Sequence, residues 1–166
     1  MKKINKLILA LLVGIFFAGN ALAAYIPANP IIKRTRCLNP WCGAIFTCPN
    51  SIVSPSGSIL CIQKIYGTSW MMFKNNIAPL DGVIYDNHVM STISFSMNSI
   101  FMPLDVVYLN SNLFVEDIAH LRGSFPGEYY KTIPYAEGEG RYLLLLPGGM
   151  AHMYGIFPGS LLLVEQ

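Results

Sequence analysis

Phe95-Ser96-Met97-Asn98-Ser99-Ile100-Phe101-Met102-Pro103-Leu104-Asp105-Val106-Val107-Tyr108-Leu109 is the stretch on which the fold turns. Its first residues complete Ser91–Met97 (STISFSM), where Ile93, Phe95 and Met97 alternate with polar neighbours. Successive side chains of an extended chain point to opposite faces, so this alternation is the period of a half-buried strand. Leu104–Leu109 (LDVVYL) is apolar except for one carboxylate, and Leu113–Ile118 (LFVEDI) follows after Asn110-Ser111-Asn112. Asparagine tolerates left-handed backbone, so the pair reads as a β-hairpin with a three-residue turn.

Working outward, Arg141–Leu146 (RYLLLL) reads as a strand buried on both faces, and Ser160–Val164 as a last strand. Between them, Pro147 to Gly155 predicts a two-turn helix ended by Gly155 in the left-handed position. Gly123–Gly140 is rich in Gly, Pro, Tyr and Glu and reads as a long surface excursion. Its Tyr129, Tyr130 and Tyr135 can form a contact surface; folding back over the mouth of the sheet is the favoured expectation. The fold class is therefore mostly β (α+β), a compact barrel-like or rolled antiparallel or mixed sheet with one short helix near the C-terminus.

The first 23 residues have the pattern of an export leader. Lys2, Lys3 and Lys6 precede an apolar stretch, Leu7–Ala18, and Ala21-Leu22-Ala23 supplies small residues at a cleavage point. Twelve apolar residues fall short of the ~20 a membrane-spanning helix needs. Residues 1–23 are thus expected to be a signal peptide, 24–58 a Cys- and Pro-rich lead-in, and 59–166 one mostly-β domain. Export follows as the expected localisation, most simply to a bacterial periplasm, with secretion as the alternative. The leader takes three of the eleven basic residues and no acidic one, leaving eight against nine. Such a balance argues against nucleic acid as partner, because phosphate binders carry a basic excess. Charged residues are only 12% of the chain against a usual ~25%, so a protein partner or a second copy on some apolar surface is left open.

Cys37, Cys42, Cys48 and Cys61 are the four cysteines. In an exported chain an even set predicts two disulfides, with Cys37–Cys42 and Cys48–Cys61 preferred because both close short loops. The spacing lacks the paired C-x2-C knuckles of a structural zinc site, although a cysteine-based metal module remains an alternative. No cofactor and no metal set is expected: His88, His120 and His152 are scattered through three segments.

Around Phe95–Leu109 the chain resembles the F-W-M-K-N-T-x-x-P-L-D signature of the family called domain of unknown function 192. Met72-Phe73-Lys74 is similar to that family's L-M-[FY]-R block, Gly82-Val83-Ile84-Tyr85 to its G-M-L-F strand, and Gly140-Arg141-Tyr142-Leu143-Leu144-Leu145 to its A-R-Y-V-L-E strand. Gly149, Gly155-Ile156 and Gly159 match its G-x5-G-I-x2-G close. The resemblance, over about Trp70 to Val164, implies a compact β-rich, often exported domain without an established activity. The polar signature is eroded: the family's Trp, Lys, Asn and Thr are Ser96, Asn98, Ser99 and Ile100 here, and its Arg is Lys74.

Candidate chemistry centres on Asp105. A carboxylate among apolar residues must be paired or hydrogen-bonded to stay charged. Arg141 is the expected partner, the two forming a structural or ligand clamp. No catalytic set stands out, so the leading expectation is a non-enzymatic accessory or binding domain of the envelope. A small hydrolase with a pocket at Asp105, Ser96 and Asn98, flanked by Lys74, is the alternative. It requires those side chains to meet in one cavity.

Overall fold

The computed structural model describes residues 35–37 and 45–164, with side chains from residue 48 on. All of these lie in one compact unit, Lys33–Gln166. The expected leader and the pairing of Cys37 with Cys42 fall outside the described residues.

Nine strands form. β1 (Thr35–Cys37) and β2 (Ile45–Thr47) make a separate antiparallel pair. β3 (Asn50–Val53), β4 (Ile59–Ile65), β5 (Gly82–Ser96), β6 (Leu104–Leu109), β7 (Val115–Leu121), β8 (Tyr135–Pro147) and β9 (Leu163–Val164) build one seven-stranded sheet. Its order is β7-β6-β8-β5-β4-β3-β9. Every pair is antiparallel except β4 with β5, so the sheet is mixed. Parallel neighbours cannot be joined by a tight hairpin. The connection is residues 66–81, which carry a 3-10 turn at Thr68–Met71. Helix α1 (Met150–Met153) is the one α-helix among the described residues.

The apolar pattern explains the layering. β6 is buried at every position, and Leu143–Leu146 of β8 are fully buried. Alternation sends Leu104, Val106, Tyr108, Leu143 and Leu145 into one core with Phe95, Met97 and Ile100. Val107, Leu109, Leu144 and Leu146 enter a second core with Ala151, Ile156 and Leu162. Each such side chain contributes about 1.5–3 kcal/mol by leaving water. Helix α1 and the C-terminal segment thus cover one face, and the β5–β6 connection covers the other.

Residues 159–164 bridge both margins of the sheet. At the β7 margin, Gly159 N–H donates to the Val115 carbonyl, Val115 N–H to that of Ser160 (both 2.8 Å), and Leu162 N–H to that of Leu113 (3.1 Å). Leu163 and Val164 then pair with Val53 and Ile52 of β3. The result is a rolled sheet strapped by residues 159–164 rather than a closed barrel.

Several elements differ from their sequence-based bounds. The excursion after Gly123 ends earlier, because Tyr135–Gly140 pairs with Ser91–Ser96 as the first half of β8. The β6–β7 turn has five residues, not three, with Leu113 at φ 64°. Asn110 Oδ1 organises it, accepting from the N–H groups of Asn112 (2.8 Å) and Phe114 (3.1 Å). The last strand shortens to Leu163–Val164, its earlier part serving as the strap. The sheet also reaches upstream of residue 59, since Asn50–Val53 pairs with β4. Helix α1 has one turn, Met150–Met153, rather than two, and Gly155 follows its cap Tyr154 at φ 67°. Among the described residues, no helix is long and apolar enough to cross a membrane.

Candidate functional site

Asp105 lies on β6, directly opposite His120 of β7 and beside Leu146 of β8. Its side chain faces the end of the second core, where α1 begins. The carboxylate is 1% exposed, and both oxygens are engaged. Oδ1 is 2.7 Å from His120 Nδ1, and Oδ2 accepts the Ala151 N–H at 2.8 Å. Asp105 therefore joins β6, β7 and the first turn of α1.

The expected partner is corrected: Arg141 does not meet Asp105. Arg141 Nε is 3.5 Å from Asp86 Oδ1, and its guanidinium lies over Tyr142, 4.9 Å from the ring centroid. Arg141 sits next to Tyr142, which pairs with Leu109 at the far end of β6, whereas Asp105 pairs with Leu146. Strand geometry separates the two. Asp86 gathers Lys64 Nζ (3.3 Å) and the His88 N–H (2.8 Å) as well. Burial opposes its charge, but these bonds outweigh it and hold the carboxyl below its ordinary range.

The Asp105–His120 pair opens on a shallow cleft of about 400 Å³ whose walls include Pro103, Leu121, Arg122, Gly148 and Gly149. The His120 side chain is 66% exposed. With Nδ1 turned to the carboxylate, Nδ1 carries the proton in neutral imidazole and Nε2 is left as an acceptor. Gly148 is required here, because a Cβ would stand 2.9 Å from Pro103 Cβ.

A second cleft, of about 250 Å³, adjoins the altered signature residues. Phe73, Phe101 and Phe125 wall it, with Asn98, Ser99 and Glu128 supplying polar groups. All three rings reach solvent, Phe73 being 72% exposed. Phe73 and Ser99 hold φ of 63° and 57°, a conformation that costs a bulky residue free energy and persists only where the surroundings enforce it. The Phe73 N–H donates to the Ser99 carbonyl, and Phe101 N–H to that of Lys74 at 3.2 Å, so the two strained turns clasp each other.

One ion pair links the clefts. Arg122 lines the first, and its guanidinium forks onto Glu128, which lines the second. Glu128 Oε2 also accepts the Phe125 N–H at 3.0 Å. The Arg122 hydrogen bond, then that N–H, pull the Glu128 pKa down to about 2.

The remaining expected site residues scatter. Lys74 Nζ rests 4.1 Å from the Trp70 ring centroid. Ser96 Oγ accepts the Asn98 N–H at 3.3 Å on an exposed turn. Asn98 lines the phenyl-walled cleft, and Asp105 lines the other. The pocket of Asp105, Ser96 and Asn98 is thus not assembled. Tyr129, Tyr130 and Tyr135 are 58%, 67% and 62% exposed, so they do not fold back over the sheet. Cys48 and Cys61 are joined in the preferred disulfide. Beside it, Asp81 is buried and accepts the Cys61 N–H at 2.7 Å; it is a staple between strands rather than a plain turn residue. Among the described residues no three His, Cys, Asp or Glu side chains cluster to hold a metal.

Both clefts lie within the segment that carries the resemblance. The model of the DUF192 family, described as Uncharacterized ACR, matches residues 66–164. The chain belongs to this family. No curated protein matches it. Two solved structures are similar to this chain in fold, at TM-scores of 0.55. One is a candidate transcription regulator from Sinorhizobium meliloti, 20% identical, the match covering 69% of this chain and 91% of that one. The other is a protein of unknown function from Novosphingobium aromaticivorans, 21% identical, with 78% and 92% covered. At these identities the likeness is one of fold. The DUF192 segment begins after β4, so the Cys48–Cys61 bridge is an addition outside it.

Proposed function

We propose that this DUF192 protein is an exported accessory domain of the bacterial envelope that binds a ligand between Phe73, Phe101 and Phe125. The observation that carries this reading is three solvent-facing phenyl rings around one cleft, two of them on clasped turns, Phe73 itself at positive φ. Exposed rings cost free energy in water, and grouped around a concavity with a few polar groups they form the usual kind of small-ligand site. A leader-like N-terminus and the Cys48–Cys61 disulfide support export, since such bridges persist in oxidising compartments. The fold likeness to a candidate transcription regulator brings no DNA reading with it. Beyond residue 23 acidic groups outnumber basic ones.

The test is native mass spectrometry of the protein taken from its own periplasmic fraction. The expected result is a chain shortened by residues 1–23, with a bound species that a Phe73→Ala, Phe101→Ala double variant releases. A cytoplasmic, full-length chain removes the export claim. A species retained by the double variant removes the site.

A further inference from the structure

We infer that Asp105 and His120 form a general-base dyad that hydrolyses small neutral carboxylic esters in the cleft walled by Pro103, Leu121 and Gly149. This goes beyond the ligand-binding reading and stands on its own cleft. A histidine becomes an effective base when one ring nitrogen is locked to a carboxylate and the other faces the reaction. Here the carboxylate is 1% exposed and is held on its far oxygen by the Ala151 N–H at 2.8 Å, so it cannot swing away. Its near oxygen meets Nδ1 at 2.7 Å, which directs Nε2 outward from a ring that is largely exposed.

The walls select the substrate class. Pro103, Leu104 and Leu121 are apolar, and the cation on the wall, Arg122, already has Glu128. A neutral acyl group fits such a surface better than a phosphate or a carboxylate. Among the described residues no serine or cysteine lines the cleft, so the attacking group is water. As the water oxygen bonds to the acyl carbon, Nε2 takes its proton. The tetrahedral intermediate then breaks the bond to the alkoxide, which takes that proton from the imidazolium. Ester plus water gives acid plus alcohol, and the imidazole is returned neutral.

His120 is the catalytic residue and Asp105 the positioning one, and they can be tested apart with p-nitrophenyl acetate on the full chain. His120→Gln should lower kcat/KM by about 100-fold, the usual scale of base catalysis, while His88→Gln, altering a histidine 81% exposed elsewhere, leaves it unchanged. Asp105→Asn carries a sharper signature. The Ala151 N–H claims the new amide oxygen, so the amide NH2 faces Nδ1 and drives the ring proton to Nε2. Nitrogen-15 NMR should show that tautomer change together with the lost rate. A loss below tenfold in His120→Gln, or a wild-type rate no greater than that of free imidazole, overturns the dyad. An Asp105→Asn protein that keeps both its tautomer and its rate overturns the role of Asp105. None of these results touches the phenyl-walled site.

Discussion

Among the described residues Tyr108 is the largest fully buried side chain, and its hydroxyl meets no hydrogen-bond partner there. Gly138 lies against it so closely that a Cβ there would stand 2.7 Å from the ring, which fixes the phenol in place. A buried hydroxyl without a partner keeps its desolvation cost. Tyr108→Phe should therefore stabilise the protein by about 1 kcal/mol, read from urea unfolding near neutral pH. The same residue sets an alkaline limit. Burial first, then the charges of Asp117 and Glu137, push its pKa from 10 to about 12. The unfolded chain ionises this phenol first, so stability is complete below about pH 10 and lost as pH rises through 12. Tyr108→Phe should be missing that component of the loss. At this scale the sequence was informative about burial, since an apolar run around Tyr108 and Asp105 announces a core strand. It was silent about which partner each polar atom finds.

Register explains why. A three-residue turn after Leu109 would have set Asp105 opposite Asp117, a like-charge pair that a core would not keep. The five-residue turn and the irregularity at Tyr108/Leu109 shift the pairing by three positions and bring His120 across instead. The hairpin was legible in its alternation, but its partners depend on Asn110 Oδ1 and the positive φ of Leu113, which no periodicity encodes. The Arg122–Glu128 link was missed for a related reason. It closes a loop whose path is set by side chain to backbone bonds, including Arg122 Nη2 to the Thr132 carbonyl at 3.1 Å. Its strength has a measurable pH signature. Glu128 has a pKa of about 2 in the fold against an ordinary 4.5. The loop's contribution is thus complete above about pH 4.5 and lost as pH falls through about 2. The Phe125 amide resonance should titrate with a midpoint near 2, and Glu128→Gln should abolish that step. A midpoint near 4.5 would show the fork to be open in solution.

At the scale of the whole molecule, the sheet order puts β7 and β3-β9 at opposite margins, and one short segment touches both. Removing residues 161–166 deletes buried Leu162, the pairing to Val53 and Ile52, and the bridge from Phe114 to Leu161. The β3 margin would then present unpaired backbone, a template for association, and the β7 margin would keep only the bonds of Gly159 and Ser160 to Val115. The truncated protein should lose its cooperative thermal transition and run as aggregates in size-exclusion chromatography. A monomer with an intact transition would show that the strap is dispensable. The rolled sheet and the short helix were legible in outline because apolar alternation and glycine placement are local signals. The strap was read only as another strand, since a sequence does not say which two edges one segment will tie.

That tie has a consequence for the order of events as the chain is made. Leu163 and Val164 follow every other strand of the sheet along the chain, so a growing polypeptide cannot finish knitting its sheet until they have left the ribosome. Until they arrive, the open backbone of β3 is free to knit with a neighbouring nascent chain instead.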